Sequence, residues 1–272
     1  MVEFLAHSRS SEFGAETSLP IGGLRPIRFP VQPPRPNQVD LWIAPLDLSP
    51  SELVEFESTL STQELEQAYR FRFEQHRDWY VAAHGWLRSV LSGYVSQSAD
   101  AVEFVRGPRG KPGLSPGINP LNVQFNLAHS ANLAAIGVTQ DCDVGVDIEQ
   151  VRPIRDATDL VNRFFSKRES AAFQSLPEEQ KASAFFNLWT RKEAWLKATG
   201  EGIAHLLNQV EVSFILGEPV ELLKLPPGYD TGSCWSLEAI HPQPGVVVAV
   251  SAKCVPLQLR TCWADSASEA GL

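Results

Sequence analysis

The chain has 272 residues, of which 43% are hydrophobic and 20% charged, and its formal net charge is −9. Such a chain can bury a full core, and its negative charge argues against bulk binding of nucleic acid or of an anionic membrane. The four cysteines show no C-x-x-C spacing, and no apolar run approaches the roughly 20 residues that a membrane helix needs. We therefore expect a protein of a reducing cytoplasm, without a zinc site.

The first part of the chain predicts an extension, a strand and a long helix. Residues 1–39 are rich in Ser, Gly and Pro and are expected to form a loosely attached extension. Val39–Leu46 has the composition of a first strand. Ser61 can cap a helix, and apolar residues at helical spacing predict that this helix continues to Val95.

A basic loop rich in Gly and Pro follows at 102–114, and residues 123–129 and 133–139 are predicted strands. A second helical region is expected from about Asp156, with its strongest helix at 183–202 closed by Gly200 and Gly202. Further strands are predicted at 208–216, 233–240 and 245–252.

The order of strand, helix and strands occurs twice, which favours an α+β fold. We expect two similar α+β halves in a pseudo-twofold arrangement, with an active site in the cleft between them. The expected divisions are an extension at 1–39, an N-terminal lobe at 40–143, a C-terminal lobe at 144–260 that carries the site, and a tail at 261–272.

The segment GVDIEQVRP, residues 145–153, carries two acids on one face of a predicted strand. Alternation places Asp147 and Glu149 on one face and the apolar residues on the other, namely Val144, Val146 and Ile148. Two acids on a half-buried strand repel each other unless a cation or a donor lies between them. The segment therefore predicts a positively charged partner.

A helix that includes Trp189 would place Glu193 on its core-facing stripe. The simplest interpretation is an i,i+4 pair with Lys197, worth about 0.2–0.5 kcal/mol on a surface helix. The alternative joins Glu193 to Asp147 and Glu149 in an oxygen-ligand site of the kind that suits Mg²⁺. Lys197 could then neutralise a phosphate on the same metal.

Five motifs in order resemble those of the 4′-phosphopantetheinyl transferases of the larger, two-lobed class. G-x-D-x-E is present at 145–149, and W-x-x-K-E-A/S-x-x-K is intact at 189–197. F-F-S/T-x-x-E is present at 164–169, G-K-P at 110–112 and F-N-x-S/A-H-S at 125–130. The order and spacing agree over roughly residues 40 to 255.

The resemblance implies transfer of the phosphopantetheine arm of coenzyme A to a serine of an apo acyl or peptidyl carrier protein, with release of adenosine 3′,5′-bisphosphate. Such carriers serve fatty acid, polyketide and nonribosomal peptide synthesis. Mg²⁺, or alternatively Mn²⁺, would be held by Asp147, Glu149 and Glu193. Glu193 would help deprotonate the serine, and Lys197 would stabilise charge on the phosphate and leaving group. Glu169 would act as a base or lie beside the metal.

The resemblance also implies a set of residues that line the nucleotide end of coenzyme A: Arg70, Arg77, Arg106, Lys111, Pro112, Asn126, His129 and Ser130. His129 would lie near the 3′-phosphate. The chain departs from the family pattern at Ala128, where a serine is usual, and at Glu64, Gln67 and Gln75 on the first long helix, where basic residues are expected.

Two other functions use the same features. A Mg²⁺-dependent phosphoesterase or nuclease could use the acid cluster, although the acidic chain argues against a nucleic-acid substrate. A non-catalytic module that binds coenzyme A or a carrier is the second alternative. Since two fused halves would form their own cleft, we expect a monomer. The negative net charge leads us to expect binding of neither nucleic acid nor a membrane.

Overall fold

The computed structural model describes residues 33–107, 109–201, 206–229 and 234–264. Most of the predicted extension, most of the predicted tail and Gly202 lie outside the described residues. The described part is of the α+β class, as predicted. Its helices are α1 (Pro50–Thr59), α2 (Thr62–Ala68), α3 (Glu74–Val95), α4 (Ala157–Phe164), α5 (Lys167–Gln174) and α6 (Glu178–Thr199). Its strands are β1 (Gln38–Pro45), β2 (Phe104–Arg106), β3 (Pro112–Leu114), β4 (Val123–Ser130), β5 (Leu133–Gln140), β6 (Val144–Gln150), β7 (Glu211–Val212), β8 (Leu222–Lys224), β9 (Ser236–Ile240), β10 (Val246–Ala252) and β11 (Gln258–Trp263).

The first sheet has the strand order β11-β1-β5-β4. Alternation along β1 sends Trp42 to the face covered by α3 and sends Leu41 to the opposite face. The edge strand β11, which we did not predict, pairs in parallel with β1. It crosses the division that we expected between residues 260 and 261.

The second sheet has the order β6-β10-β9 and packs between the first sheet and α6. Val144, Val146 and Ile148 of β6 belong to the core between the two sheets. Val247 of β10 belongs to the core under α6. The layers are therefore helix, sheet, sheet and helix, and the odd-numbered residues of β6 face α6.

The single helix predicted from Ser61 to Val95 is wrong, because two helices form with a break at 69–73. The aromatic residues Tyr69, Phe71 and Phe73 are exposed and recur every second residue, which is not a helical spacing. Phe73 has extended backbone angles and precedes α3. The basic loop is the turn of a small hairpin in which Arg106 is the partner of Pro112.

Candidate active site

Gly145 allows the backbone of α6 to lie directly against β6. A Cβ atom at this position would be 2.1 Å from the carbonyl oxygen of Ala194 and 2.3 Å from the amide nitrogen of Ala198. Real Cβ atoms do not approach backbone so closely, so only glycine fits between this strand and this helix. The close approach brings Asp147 on the strand beside Glu193 and Lys197 on the helix.

The carboxylates of Asp147 and Glu193 are almost completely buried. Lys197 Nζ donates to Asp147 Oδ1 at 2.5 Å. Asp147 Oδ2 and Glu193 Oε1 are buried and have no hydrogen-bond partner among the described residues. Lys197 thus pairs with the strand acid, and the predicted i,i+4 pair with Glu193 is not among the ion pairs of the described residues.

The three groups perturb one another strongly. Burial, and then the charge of Asp147, raise the pKa of Glu193 to about 8. Burial also raises the pKa of Asp147 to about 6, and Lys197 opposes this shift. Burial alone would lower the pKa of Lys197, but the charges of Asp147 and Glu193 raise this pKa. Without a further cation, the site has more acid than its one ammonium group can neutralise.

Glu149 is held at the edge of this cluster by two other side chains. Ser130 Oγ donates to Glu149 Oε2 at 2.7 Å, and Arg152 Nη1 lies 3.4 Å from the same oxygen. The Arg152 guanidinium lies over the ring of Phe186 at 5.0 Å. Ser130, predicted at the nucleotide end, therefore contacts a predicted metal ligand. Arg152 belongs to the quoted strand segment, but sequence reasoning gave it no role.

The oxygen donors of this cluster suit a divalent cation, although they do not form a closed cage. No group of three His, Cys, Asp or Glu in the described chain is arranged as a ready metal cage. The two unpartnered carboxylate oxygens nevertheless provide the hard donors that Mg²⁺ prefers. Mg²⁺ takes few protein ligands and completes its shell with water and phosphate oxygens, so the residues fit such an ion.

His129 lies close enough to α3 and α6 to feel their charges. Loss of hydration, followed by the charges of His84, Lys197 and His76, lowers the pKa of His129, while part of its side chain remains open to solvent. His76 and His84 of α3 and Lys197 of α6 are therefore near enough to His129 of β4 for their charges to act on its imidazole. An anion that bound there would favour the protonated imidazole.

Lys111 joins the β2–β3 hairpin to β6 and α6, and Asn126 joins the first sheet to the second. Lys111 Nζ donates to the carbonyl oxygens of Val144 at 2.8 Å and Ala198 at 2.9 Å. Asn126 Oδ1 accepts from the amide of Val146 at 2.8 Å. Both side chains thus hold β6 or the end of α6 in place, and their contact with a nucleotide remains a prediction.

The remaining predicted nucleotide contacts are spread over the surface. Arg70 contacts Gln67, and Arg77 pairs with Glu74 and Asp78, so neither contacts the acid cluster. Arg106 ends β2 and is exposed, and Pro112 begins β3 in the same hairpin. Their role in binding coenzyme A remains a prediction.

Both carboxylate oxygens of Glu169 accept hydrogen bonds from groups outside the acid cluster. Its Oε2 accepts from Lys192 Nζ at 2.6 Å and from the Ser166 amide at 3.0 Å. Its Oε1 accepts from the Val212 amide at 3.1 Å. Both oxygens are occupied, so the geometry favours a structural part for Glu169, and its predicted catalytic role is without support here.

Glu64, which departs from the family pattern, is also fully engaged. Arg88 donates two hydrogen bonds to Glu64 Oε2, at 2.9 and 2.7 Å, and His84 lies 3.1 Å from Oε1. Burial would raise its pKa, but hydrogen bonds from His84, Arg88 and Ser61 lower the pKa of Glu64 to about 2. The negative charge of Glu64 is therefore paired with Arg88.

Comparison with known proteins places this chain in a family. The profile of the 4′-phosphopantetheinyl transferase superfamily matches residues 143–251, and that of the 4′-phosphopantetheinyl transferase N-terminal region matches residues 47–140. The chain is 41% identical over 215 residues to the 4′-phosphopantetheinyl transferase HetI of Nostoc sp., covering 79% of this chain and 87% of the relative.

Two further relatives are also 4′-phosphopantetheinyl transferases. The chain is 26% identical over 205 residues to the 4′-phosphopantetheinyl transferase Sfp of Bacillus subtilis, covering 75% of this chain and 87% of Sfp. It is 38% identical over 145 residues to the 4′-phosphopantetheinyl transferase AcpT of Salmonella typhimurium, covering 53% and 70%. The chain belongs to the 4′-phosphopantetheinyl transferase family, which confirms the resemblance drawn from its motifs, and it is an enzyme of the transferase class. No helix among the described residues is long and apolar enough to span a membrane.

Proposed function

We propose that the enzyme transfers the 4′-phosphopantetheine arm of coenzyme A to a serine of an apo acyl or peptidyl carrier protein, with release of adenosine 3′,5′-bisphosphate. The observation that supports this most directly is the pair of buried carboxylate oxygens on Asp147 and Glu193 that have no partner, next to Lys197. Such an arrangement suits a cation and a phosphate, and family membership implies coenzyme A as the phosphate-bearing substrate.

Asp147, Glu149 and Glu193 would hold Mg²⁺, with Mn²⁺ as an alternative ion. The bound ion would supply positive charge to the diphosphate of coenzyme A and so favour approach of an oxygen nucleophile. Ser130 and Arg152 orient the carboxylate of Glu149 through their contacts with Oε2. Gly145 keeps strand and helix close enough for both to contribute ligands.

The proposed reaction is an in-line displacement at the phosphorus that bears the pantetheine arm. The serine Oγ forms a bond to this phosphorus, and the bond from phosphorus to the bridging oxygen of the diphosphate breaks. Glu193, directly or through a water, accepts the serine proton. Lys197 stabilises the negative charge that develops on the phosphate and on the leaving adenosine bisphosphate.

The nucleotide end of coenzyme A would lie along the cleft that includes His129, with the 3′-phosphate near this imidazole. Arg106 on the neighbouring hairpin would add positive charge. The site would lie between two lobes, residues 40–143 and 144–260, of one monomer in the cytoplasm. The hydrogen bond from Ser130 in the first of these segments to Glu149 in the second supports a site between the two lobes.

The test is the intact mass of apo acyl and peptidyl carrier proteins after incubation with the enzyme, coenzyme A and Mg²⁺. We expect a gain equal to the phosphopantetheine arm, which EDTA and Glu193→Gln abolish. No gain on several carriers, although coenzyme A binds, would reject the transfer to such carriers. Hydrolysis of coenzyme A in the absence of any carrier would instead support the phosphoesterase alternative.

A further inference from the structure

Cys142 and Cys254 lie at the adjoining ends of the two paired strands β6 and β10. The antiparallel register pairs Val144 with Ala252, and beyond it the Lys253 amide donates to the Asp143 carbonyl oxygen at 2.9 Å. Continued by one more residue, this register sets Cys142 opposite Cys254. In an antiparallel ladder, hydrogen-bonded and non-hydrogen-bonded pairs alternate. Asp143 and Lys253 are hydrogen-bonded, so Cys142 and Cys254 form the next, non-hydrogen-bonded pair, in which the side chains approach most closely.

The pleat of the two strands points both thiols to the same side. Val144 and Ala252, two residues away on either strand, belong to the core between the two sheets. Cys254 belongs to the same core, and Cys142 packs against it. Opposite residues of this kind have Cα atoms about 4.5 Å apart, which lies within the range that a disulfide spans.

The two thiols differ in their access to solvent. Cys254 is buried, whereas Cys142 is partly exposed and lines a cavity of about 420 Å³ together with Cys234 and Lys253. Burial, and then interaction with the Cys142 thiol, raise the pKa of Cys254 to about 12. A thiol with this pKa is a poor first nucleophile, so Cys142 is the one that an oxidant in solution would meet.

We propose that Cys142 and Cys254 are a reversible dithiol pair, which a small-molecule disulfide such as oxidised glutathione converts to an intramolecular disulfide. The Cys142 thiolate attacks one sulfur of the oxidant, forms a mixed disulfide and releases one thiolate. The Cys254 sulfur then attacks Cys142 Sγ and releases the second thiolate. The two cysteine protons go to the two released thiolates, so two cysteines are oxidised and one disulfide is reduced to two thiols.

The proposed bond would fasten the start of β6 to the end of β10. Asp147 on β6 points to the opposite face, toward α6, so the bond would not enter the acid cluster. It would close a loop of about 110 residues, which by the chain-entropy account should raise the midpoint of thermal unfolding by about 5 °C or more. We expect transferase activity to change less than about twofold, since the acids keep their support.

The experiment is oxidation of the whole chain with oxidised glutathione, followed by alkylation, non-reducing trypsin digestion and mass spectrometry. Cleavage after Lys253 and Arg260 separates Cys254 from the peptides that carry the other three cysteines. We expect one cross-linked product that joins the peptides of Cys142 and Cys254, and its loss on reduction. The thermal midpoint of the oxidised chain should exceed that of the reduced chain.

Two variants are matched controls. Cys234→Ser removes the other thiol of the cavity and should leave both the cross-link and the thermal shift unchanged. Cys142→Ser should remove both, and the wild-type peptide map decides the matter even if this variant folds poorly. A link between Cys142 and Cys234, or thiols that all stay free under conditions that oxidise a control dithiol, would overturn the proposal.

Discussion

Neighbouring residues of α6 bury opposite charges in two very different ways. Lys192 is completely buried, and its ammonium group is bound by Glu169 Oε2 at 2.6 Å and by the Leu207 carbonyl oxygen at 2.7 Å. Glu193 is 2% exposed, and its Oε1 has no partner among the described residues. One helix therefore carries a satisfied buried charge and an unsatisfied one at consecutive positions.

The difference teaches which charged residue holds the fold and which is available for chemistry. A buried charge that is fully paired fastens the elements it joins, here α5, α6 and the segment that contains Leu207. A buried carboxylate without a partner costs stability and persists where a ligand will satisfy it. The family motif contains both residues side by side, so the motif alone does not separate the two roles.

The largest expected effect is on activity when the unsatisfied acid is made neutral. Glu193→Gln should lower the rate of transfer at least about 10³-fold, because the site loses a charged ligand for the metal that we propose. Its thermal midpoint without metal should equal or exceed that of the wild type, because the amide relieves a buried like-charge contact with Asp147. Carrier modification by intact mass and thermal unfolding in EDTA measure the two quantities.

Asp147→Asn is the companion variant on the strand, and we expect the same loss of transfer. Here the thermal midpoint should rise less than in Glu193→Gln, because the relief of a buried carboxylate is offset when Lys197 loses its charged partner. Activity close to that of the wild type in Glu193→Gln or in Asp147→Asn would contradict the assignment of these acids as metal ligands.

The next largest effect is on stability when the satisfied pair is broken. Lys192→Met should lower the free energy of unfolding by about 3–5 kcal/mol, since it leaves the Glu169 carboxylate buried without its cation. The double variant Lys192→Met/Glu169→Gln should recover part of this loss. Urea unfolding of the three chains measures both differences, and an unchanged stability in the single variant would contradict a structural role for the pair.

Gly145→Ala tests whether the two roles depend on the same close contact. The new methyl group would meet helix backbone, which cannot move aside as a side chain can, so we expect a loss of about 2–3 kcal/mol. Transfer should also decrease, because any shift of α6 separates Asp147 from Glu193. Gly113→Ala is the matched control, since no atom lies within 4 Å of its added Cβ and both measurements should stay near the wild type.

Local patterns predicted the elements that build the site. The sequence predicts strands at 123–129 and 133–139, where β4 and β5 form, and alternation predicts β6. Gly200 at the end of α6 adopts the left-handed conformation with a φ of 71° that helix ends favour. The helix α1 was missed although Pro50 and the capping box of Ser49 with Glu52 were visible signals. The break at 69–73 was missed because the helical spacing on either side was carried across Tyr69, Phe71 and Phe73, which recur every second residue.

Contacts between distant segments were beyond sequence patterns. The partner of β11 lies at the other end of the chain, so no local signal joins Arg260 to Asp40. A helical wheel favours Lys197 as the partner of Glu193, but the close approach at Gly145 gives Asp147 to Lys197 instead. The choice between these partners is made by tertiary packing, which the wheel does not contain.

The smallest expected effect concerns Glu64, a satisfied acid in the first turn of α2. Because its pKa is lowered to about 2, the ionised form stabilises the fold above the unfolded-state pKa of about 4.5, and this contribution disappears as the pH falls toward 2. Glu64→Gln should therefore cost on the order of 1–2 kcal/mol at pH 7, after allowance for solvent screening, and progressively less below pH 4.5. Urea unfolding of both chains between pH 7 and pH 3 measures this difference. The exposed Glu66 of the same helix is the control, and Glu66→Gln should show no such trend. A stability difference for Glu64→Gln that stays constant down to pH 3 would mean that its pairing with Arg88 and His84 contributes nothing through ionisation, and the contrast between satisfied and unsatisfied acids would then rest on Glu169 alone.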